Sequence, residues 1–381
     1  MYIKELSVIN FKNLEQVELE FSHKLNCFIG NNGVGKTNLL DGIYYLSFCK
    51  SYFNSVDSQN IRHEEEFFVL QGQYSRLDED ENIYCGFQKG QKKKFRRNKK
   101  EYKRLSEHIG LLPLVMISPS DTSLIMGGSD ERRKFMDSVI SQNDRQYLDQ
   151  LIRYNRALLQ RNNLLKYFAA NRVFEPDNLE VWDAQLVMLG EKINKRRQEF
   201  LGELQPIFQK YYDFISDGHE QVTLEYQSQL NEGDFEGQLK EALQRDRVLQ
   251  FTSVGIHKDD LELKLGDFPM KKMGSQGQKK TYLVALKLAQ FDFIRSVNQA
   301  MPILLLDDIF DKLDGERVEK IVKLVSGNTF GQIFITDTNR EHLDQIIPRV
   351  GADYRIFRVT DGAVTENGNN NGGEPKVVEN N

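Results

Sequence analysis

Phe28-Ile-Gly-Asn-Asn-Gly-Val-Gly-Lys-Thr37 contains G-x-x-x-x-G-K-[ST] without a mismatch, at Gly30, Gly35, Lys36 and Thr37. The apolar run from Leu25 to Ile29 before it reads as a buried strand. After it, Leu39, Leu40, Ile43 and Leu46 recur at helical spacing. Strand, glycine-rich loop and helix in that order are what a phosphate-binding loop requires. The glycines let the backbone curl so that successive N–H groups point inward at phosphate oxygens. On this reading Gly30, Asn31, Asn32, Gly33, Val34, Gly35, Lys36 and Thr37 cradle a nucleotide. Lys36 neutralises the outer phosphates, Thr37 holds Mg²⁺, and the helix N-terminus adds positive potential. The competing account, a glycine-rich turn that matches by chance, leaves the flanking strand and helix unexplained.

A chain of 381 residues has room for two or three domains, and 39% hydrophobic content is enough for a core. A net charge of −5 argues against a uniformly basic nucleic-acid binder, so any DNA contact needs a local basic patch. Cys27, Cys49 and Cys85 are odd in number and fit no metal-site spacing; reduced cysteines of a cytosolic protein are the simpler reading. Met1-Tyr-Ile-Lys-Glu-Leu lacks the apolar core of a signal peptide, and no apolar run approaches membrane-spanning length. A soluble cytoplasmic protein with no membrane contact is expected.

Residues 2 to 29 read as strands, with Val17, Leu19 and Phe21 alternating against Gln16, Glu18 and Glu20. Asn10 to Asn13 marks a turn whose Lys12 lies either near the nucleotide or in solvent. Short strands follow at Phe67–Tyr74 and Asn82–Gln88. Lys89 to Arg104 is the most basic segment, shaped like a hairpin turning near Asn98. Its Lys92, Lys93, Lys94, Arg96 and Arg97 are candidate DNA contacts, neutralising phosphates without reading sequence. A soluble edge hairpin kept apart by lysines is an equal alternative. After an apolar strand at Leu114–Ile117, helical periodicity runs from Asp130 to about Phe214, broken at Pro176. Two long amphipathic stretches joined by a short turn predict an antiparallel helical arm.

A second block of motifs follows. Met301-Pro-Ile-Leu-Leu-Leu-Asp-Asp308 is an apolar strand ending in two carboxylates. In an ATPase, Asp307 joins the Mg²⁺ shell and Asp308 polarises the attacking water. Upstream, Gly274-Ser-Gln-Gly-Gln-Lys-Lys280 precedes a helical apolar pattern at Leu283, Ala285, Leu286 and Leu288. This resembles the signature sequence of ABC ATPases. The resemblance implies that Ser275, Gly277 and Gln278 sit at a helix N-terminus and cap the γ-phosphate held by the opposite subunit. Lys36, Asp308 and Ser275 are then the catalytic set. Phe310-Asp-Lys-Leu-Asp314 stands where those proteins carry a D-loop.

A phosphate loop near one chain end and a signature near the other, separated by a helical insertion, resemble the SMC-like branch of ABC-type ATPases. Within it the match narrows to the RecF family of bacterial DNA replication and repair proteins. It spans Met1 to about Val364 and rests on several stretches together. These are Gly255-Ile-His-Lys-Asp-Asp-Leu261, Ser275-Gln-Gly-Gln278, Asp307-Asp308, Asp130-Glu-Arg-Arg-Lys-Phe-Met-Asp137 and Gln160-Arg-Asn-Asn163. Departures are Ile256 and Lys258 for the usual Pro and Arg, and Asp311-Lys312 for Ser-Glu. Ile335-Thr-Asp-Thr338 ends the strand where transporters carry a switch histidine, which implies slow hydrolysis. Ser118–Asp121 occupies the region of the usual Q-loop, without a clearly placed glutamine.

The resemblance implies an α/β fold, an ABC-type ATPase head built from both chain ends with an inserted helical arm domain. The expected division is head at 1–125, arm at 126–248, head again at 249–365 and a disordered polar tail at 366–381. It also implies a weak, DNA-dependent, Mg²⁺-requiring ATPase in which ATP closes a homodimer on duplex DNA and hydrolysis releases it. Implied partners are double-stranded DNA, single-strand/duplex junctions, and the RecR and RecO mediators, with loading of RecA at gaps. A nucleotide-switch scaffold that binds only proteins is the alternative of a different class. An ABC-headed nuclease fits less well, since no further metal-carboxylate domain follows Val364.

Overall fold

The strand at Leu25–Ile29 lies inside a parallel sheet, paired on one side with Ile333–Asp337 and on the other with Tyr354–Thr360. Ile303–Asp307 continues the sheet beyond Ile333–Asp337, and Leu114–Ile117 forms its edge, both parallel. Ala363–Asn369 adds an antiparallel strand at the other edge. The inner strands are near-continuous apolar runs, as strands covered on both faces must be. In this computed structural model the residues described are 1–216, 218, 220–310, 315–327, 329–338 and 353–369.

The described chain divides into two compact units, one of Met1–Asp121, Phe214–Asp217 and Val284–Asn381, the other of Thr122–Asp213 and Gly218–Leu283. The first unit therefore draws on both chain ends and contains the parallel sheet. It also holds an antiparallel sheet in the order Leu14–Glu20, Tyr2–Phe11, Phe67–Arg76, Glu79–Gln88, Lys94–Arg97, Lys100–Glu101. The expected turn near Asn98 is a two-residue connection with Asn98 and Lys99 at φ 49° and 68°, the left-handed pair that matches strand twist. Helix Lys36–Phe48 is buried on nearly all sides, so its apolar residues serve the core. Phe11 and Tyr45 both meet Phe68 edge-on, and Phe21 packs edge-on against Phe28, Phe334 and Phe357.

Polar staples fix the strands of this unit. Gln332 is buried; it accepts from Ile3 N at 2.8 Å and donates to the Ile3 and Ser22 carbonyls at 2.8 Å each. Cys27, Cys49 and Cys85 are free thiols and buried. The tail expected to be disordered from 366 is strand as far as Asn369, because it pairs with Tyr354–Thr360; residues 370–381 lie outside the described residues.

In the second unit the predicted helical stretch resolves into Ser129–Asn143, Arg145–Asn171 and Asp177–Ser216. The break expected at Pro176 is present, with Arg172 left-handed at φ 54° where the preceding helix ends. Leu165 and Phe168 cluster with Leu179 across the turn, and Arg161 Nε reaches Asp183 at 2.5 Å, so these two helices fold back on each other. The unit extends to Leu283, past the boundary expected at 248. The reason is a ladder: Asp260–Leu265 pairs antiparallel with Val222–Gln227 along its length.

Three of the stretches that carried the family resemblance, at 130–137, 160–163 and 255–261, contribute here to ion pairs. Arg161 also reaches Asp246 at 2.7 Å and Thr252 Oγ1 at 3.0 Å. Arg197 joins Asp137 and Asp259, each at 2.9 Å, and donates to the Ile256 carbonyl. Arg132 pairs with Asp260, and His257 lies between the Tyr154 hydroxyl and the Thr252 carbonyl.

His108, in the first unit, is fully buried, with Nε2 2.7 Å from the Leu46 carbonyl and Nδ1 3.0 Å from the Tyr102 hydroxyl. A carbonyl only accepts, so the ring carries a proton on Nε2 and donates from there to Leu46. Burial pushes its pKa down from 6.5 to about 4, outweighing the Leu46 carbonyl, which raises it. The unfolded chain therefore takes up a proton that the native state refuses. Stability from this residue is intact above pH 6.5 and is lost as pH falls toward 4, by on the order of 3 kcal/mol. Urea midpoints measured between pH 7.5 and 4 are expected to fall across that window, and to fall less steeply in His108→Gln.

Candidate functional site

The parallel sheet delivers its residues to one edge. In an open parallel sheet, ligands bind beyond the carboxyl ends of the strands. Ile29, Asp307, Asp337 and Ile117 terminate four neighbouring strands, and the loop 30–35 leaves from the first of them. Gly33 and Gly35 adopt φ 82° and 116°, and Gly35 caps helix Lys36–Phe48 in the left-handed region. A Cβ at Gly30 would run into the Val359 carbonyl, and one at Gly35 into the Asn13 side chain. The Val359 carbonyl cannot move aside for a side chain at Gly30, and at Gly35 the positive φ strains any other residue. Gly362 N donates to the Val34 carbonyl at 2.9 Å, and Asn38 Nδ2 to Asn13 Oδ1 at 2.7 Å.

Lys36 Nζ donates to the Gly30 and Asn31 carbonyls at 2.7 and 2.8 Å, which holds the ammonium against its own loop. Burial lowers its pKa, and the Asp308, Asp307 and Asp337 carboxylates oppose that. Thr37 Oγ1 donates to Asp307 Oδ1 at 2.8 Å. Asp307 also accepts from Thr336 Oγ1 at 2.8 Å and from Ser118 Oγ at 3.2 Å. The donor set fits Mg²⁺: a hydroxyl and a carboxylate supply two hard oxygens and leave the rest of an octahedron to water and phosphate. Among the described residues no group of three or more His, Cys, Asp or Glu is placed to hold a metal by itself.

Asp308 leaves the strand with φ 46°, and its N–H donates to Thr336 Oγ1 at 3.0 Å. A left-handed aspartate directly after Asp307 turns the backbone out of the ladder at once. Lys12 is not a solvated turn lysine: its side chain is largely buried. It forms a 2.6 Å ion pair with the buried Asp41 of helix Lys36–Phe48. The pairing parts of Ser118, Thr336 and Asn13 were not legible, because each depends on which strands and turns become neighbours. In the D-loop stretch, residues 311–314 lie outside the described residues.

The Q-loop region holds an ion pair in place of a glutamine. Asp121 accepts from Ser118 N at 2.8 Å and meets Lys287 Nζ at 2.8 Å, while the Tyr52 hydroxyl bonds to both. Both charges are buried.

In the other unit, Ser275 and Gln278 form a reciprocal capping box: Gln278 N donates to Ser275 Oγ at 3.1 Å, and Ser275 N to Gln278 Oε1 at 3.0 Å. The Gln278 amide group then donates to Glu220 Oε1 at 3.0 Å. Gln278 thus holds the turn through both ends of its amide, and Ser275 is exposed beside it.

The basic hairpin divides. Lys93 Nζ is held by Asp57 at 2.9 Å and the Cys49 carbonyl at 2.6 Å, and Arg97 Nε by the buried Glu81 at 2.7 Å. These two belong to the fold. Arg96 stacks over Tyr84, while Lys92 and Lys94 are exposed.

The family whose profile is described as "RecF/RecN/SMC N terminal domain" matches residues 2–364. The DNA replication and repair protein RecF of Bacteroides fragilis is 59% identical over 367 residues, covering 96% of this chain and 98% of that one. The chain belongs to the RecF family. The RecF of Bacteroides thetaiotaomicron is likewise 59% identical, over 369 residues. Among solved structures, "recombination mediator protein RecF-ATP in RecFOR pathway" superposes with TM-score 0.86 at 30% identity, covering 96% of this chain and 99% of that one. An SMC head bound to the C-winged helix domain of ScpA, 16% identical with TM-score 0.58, shares the fold. The RecF family resemblance read from the motifs and the ABC-type α/β head are thereby shown. Among the described residues no helix is long and apolar enough to cross a membrane.

Removing Lys287 strands the buried Asp121 charge. Lys287→Met is expected to destabilise the protein by about 3 kcal/mol, and Lys287→Met/Asp121→Asn to recover most of that. Urea unfolding of the single and double variants checks it.

Proposed function

We propose that the chain is an ATP-dependent DNA-binding protein of recombinational repair, with ATP buried between the heads of a homodimer. The observation that carries this reading is the bond from Thr37 to Asp307, which brings the phosphate loop and the carboxylate strand to one point. The RecF-ATP structure among the relatives supports ATP as the nucleotide.

In this proposal Gly30 to Gly35 present backbone N–H groups to the phosphates, and Lys36 exchanges its loop carbonyls for phosphate oxygens. Thr37 and Asp307 would hold Mg²⁺, which would supply positive charge against the phosphates during transfer. Asp308 accepts the proton of the attacking water. Ser275 and Gly277 belong to the other unit and act on the nucleotide of the opposite protomer, so hydrolysis requires the dimer. ATP binding closes the dimer on duplex DNA, and slow hydrolysis releases it. The RecFOR pathway named for the relatives supports RecO and RecR as partners; single-strand/duplex junctions as substrates and RecA loading as the outcome follow from the family resemblance of the motifs.

The dimer is tested by mixing variants. Lys36→Ala removes the main cation of its own nucleotide site, and Ser275→Arg puts a bulky cation where the opposite nucleotide must sit. Each alone is expected to lose ATPase activity. A heterodimer of the two has one site with both defects and one with neither, so activity should return on mixing. A mixture that stays inactive while heterodimers form, seen by differential tagging, means that both sites must fire together or that the signature acts in cis; Ser275→Arg that still dimerises with ATP overturns the trans arrangement.

For DNA, the exposed cations Lys92, Lys94, Lys99, Lys100 and Lys103 take the role first assigned to Lys92, Lys93, Lys94, Arg96 and Arg97. Neutralising Lys92, Lys94, Lys99 and Lys100 together is expected to weaken duplex binding alike across sequences. The slope of log affinity against log salt should become shallower by about 3.6 if all four contact phosphates. Unchanged slope would favour the scaffold that binds only proteins.

A further inference from the structure

The signature turn is held from outside its own helix. Helix Gln276–Val297 starts with the sequence S-x-x-Q, and its capping box uses the Gln278 amide oxygen to accept from Ser275 N at 3.0 Å. That leaves the Gln278 NH₂, which donates to Glu220 Oε1 at 3.0 Å. The other Glu220 oxygen accepts from the Tyr212 hydroxyl at 2.8 Å, and the Glu220 carbonyl accepts from Gln209 Nε2 at 3.1 Å. Tyr212 is buried and packs against Tyr282, one turn beyond Gln278; Tyr282 in turn donates to the Thr223 carbonyl at 3.1 Å.

An amide has a donor end and an acceptor end of nearly equal shape. If the Gln278 amide flipped, its NH₂ would face Ser275 N–H, donor against donor, and the capping box would open. A carboxylate on the far side accepts only, so it selects the orientation that keeps the box closed. In the closed box Ser275 Oγ accepts from Gln278 N at 3.1 Å, and its own hydroxyl proton is left to point at an arriving anion. Glu220 has a cost as well: it sets a negative charge near the place where the proposed function brings a γ-phosphate. A group that served only to tie down the chain would be better neutral there.

We infer that Glu220, oriented by Tyr212, is a positioning residue for the signature turn: by fixing the Gln278 amide it aims the Ser275 hydroxyl at the γ-phosphate of the opposite protomer. This rests on the trans role of Ser275 proposed above. Glu220 touches no nucleotide, and ATP capture by the phosphate loop is independent of it.

The test compares Glu220→Ala, Glu220→Gln and Tyr212→Phe with the unmodified full-length protein. Binding of a fluorescent ATP analogue to dilute monomer, ATP-driven dimerisation by light scattering, steady-state ATPase kinetics and thermal melting are measured on each. Losing a charge-assisted hydrogen bond that orders the turn is expected to lower kcat of Glu220→Ala about tenfold and to raise the ATP needed for dimerisation similarly. Monomer affinity and melting should stay at the unmodified values. Glu220→Gln keeps an acceptor for Gln278 and should restore most of kcat, with Tyr212→Phe between. Three results overturn the inference: Glu220→Ala turning over like the unmodified protein, Glu220→Gln as impaired as Glu220→Ala, or activity falling only in step with melting temperature. If the unmodified protein does not dimerise with ATP, the trans reading itself fails, which the unmodified control shows separately.

Discussion

The hydrogen bond from Thr37 to Asp307 spans 270 positions of sequence, and the first unit is arranged so that it can form. It requires Leu25–Ile29 and Ile303–Asp307 to lie in one parallel sheet, one strand apart, with Ile333–Asp337 between them. A parallel ladder needs a long crossover, and here the crossover contains the whole helical unit. The register pairs Asp307 with Thr336, so the intervening strand contributes a hydroxyl to the same carboxylate. Gln332 at the start of that strand binds the backbone of Ile3 and Ser22, which ties the sheet to the N-terminal strands.

Charge management follows from that arrangement. Asp307, Asp337 and Lys36 gather in a buried setting, where an unpaired charge is costly. Hydroxyls of Thr37, Thr336 and Ser118 solvate Asp307, and the loop carbonyls solvate Lys36. Beside them, Asp121 is balanced by Lys287 and Asp41 by Lys12. The site is therefore preorganised by neutralised neighbours, which is how fixed dipoles and charges act on a reaction without reorganising during it.

The second unit uses the same economy for a different end. Arg161 and Arg197 are fully buried, each with two aspartates around it, and their partners come from separate helices and from the loop at 252–260. Arg161 and Asp259, both from stretches that mark the family, are thus part of the polar core of this unit. His257 takes its place there as a neutral link between Tyr154 and Thr252, with burial pushing its pKa down to about 4.

Local pattern alone determined the phosphate loop, the strand and helix on either side of it, the carboxylate-ended strand, the paired long helices and the turn at Asn98. Each is a short-range signal, written in glycine placement or in the period of apolar residues, and physics acts on it within a few residues. Tertiary structure alone decided which cations of the basic segment are available. Lys93 and Arg97 resemble Lys92 and Lys94 in sequence, yet Asp57 and Glu81 claim them, and those carboxylates arrive through strand pairing and packing. It also decided that Ser118 and Thr336 meet Asp307, that Lys12 is spent on Asp41, and that Gln278 faces Glu220. A side chain's partner is fixed by register and by what the core brings near, and neither is written in the residues beside it.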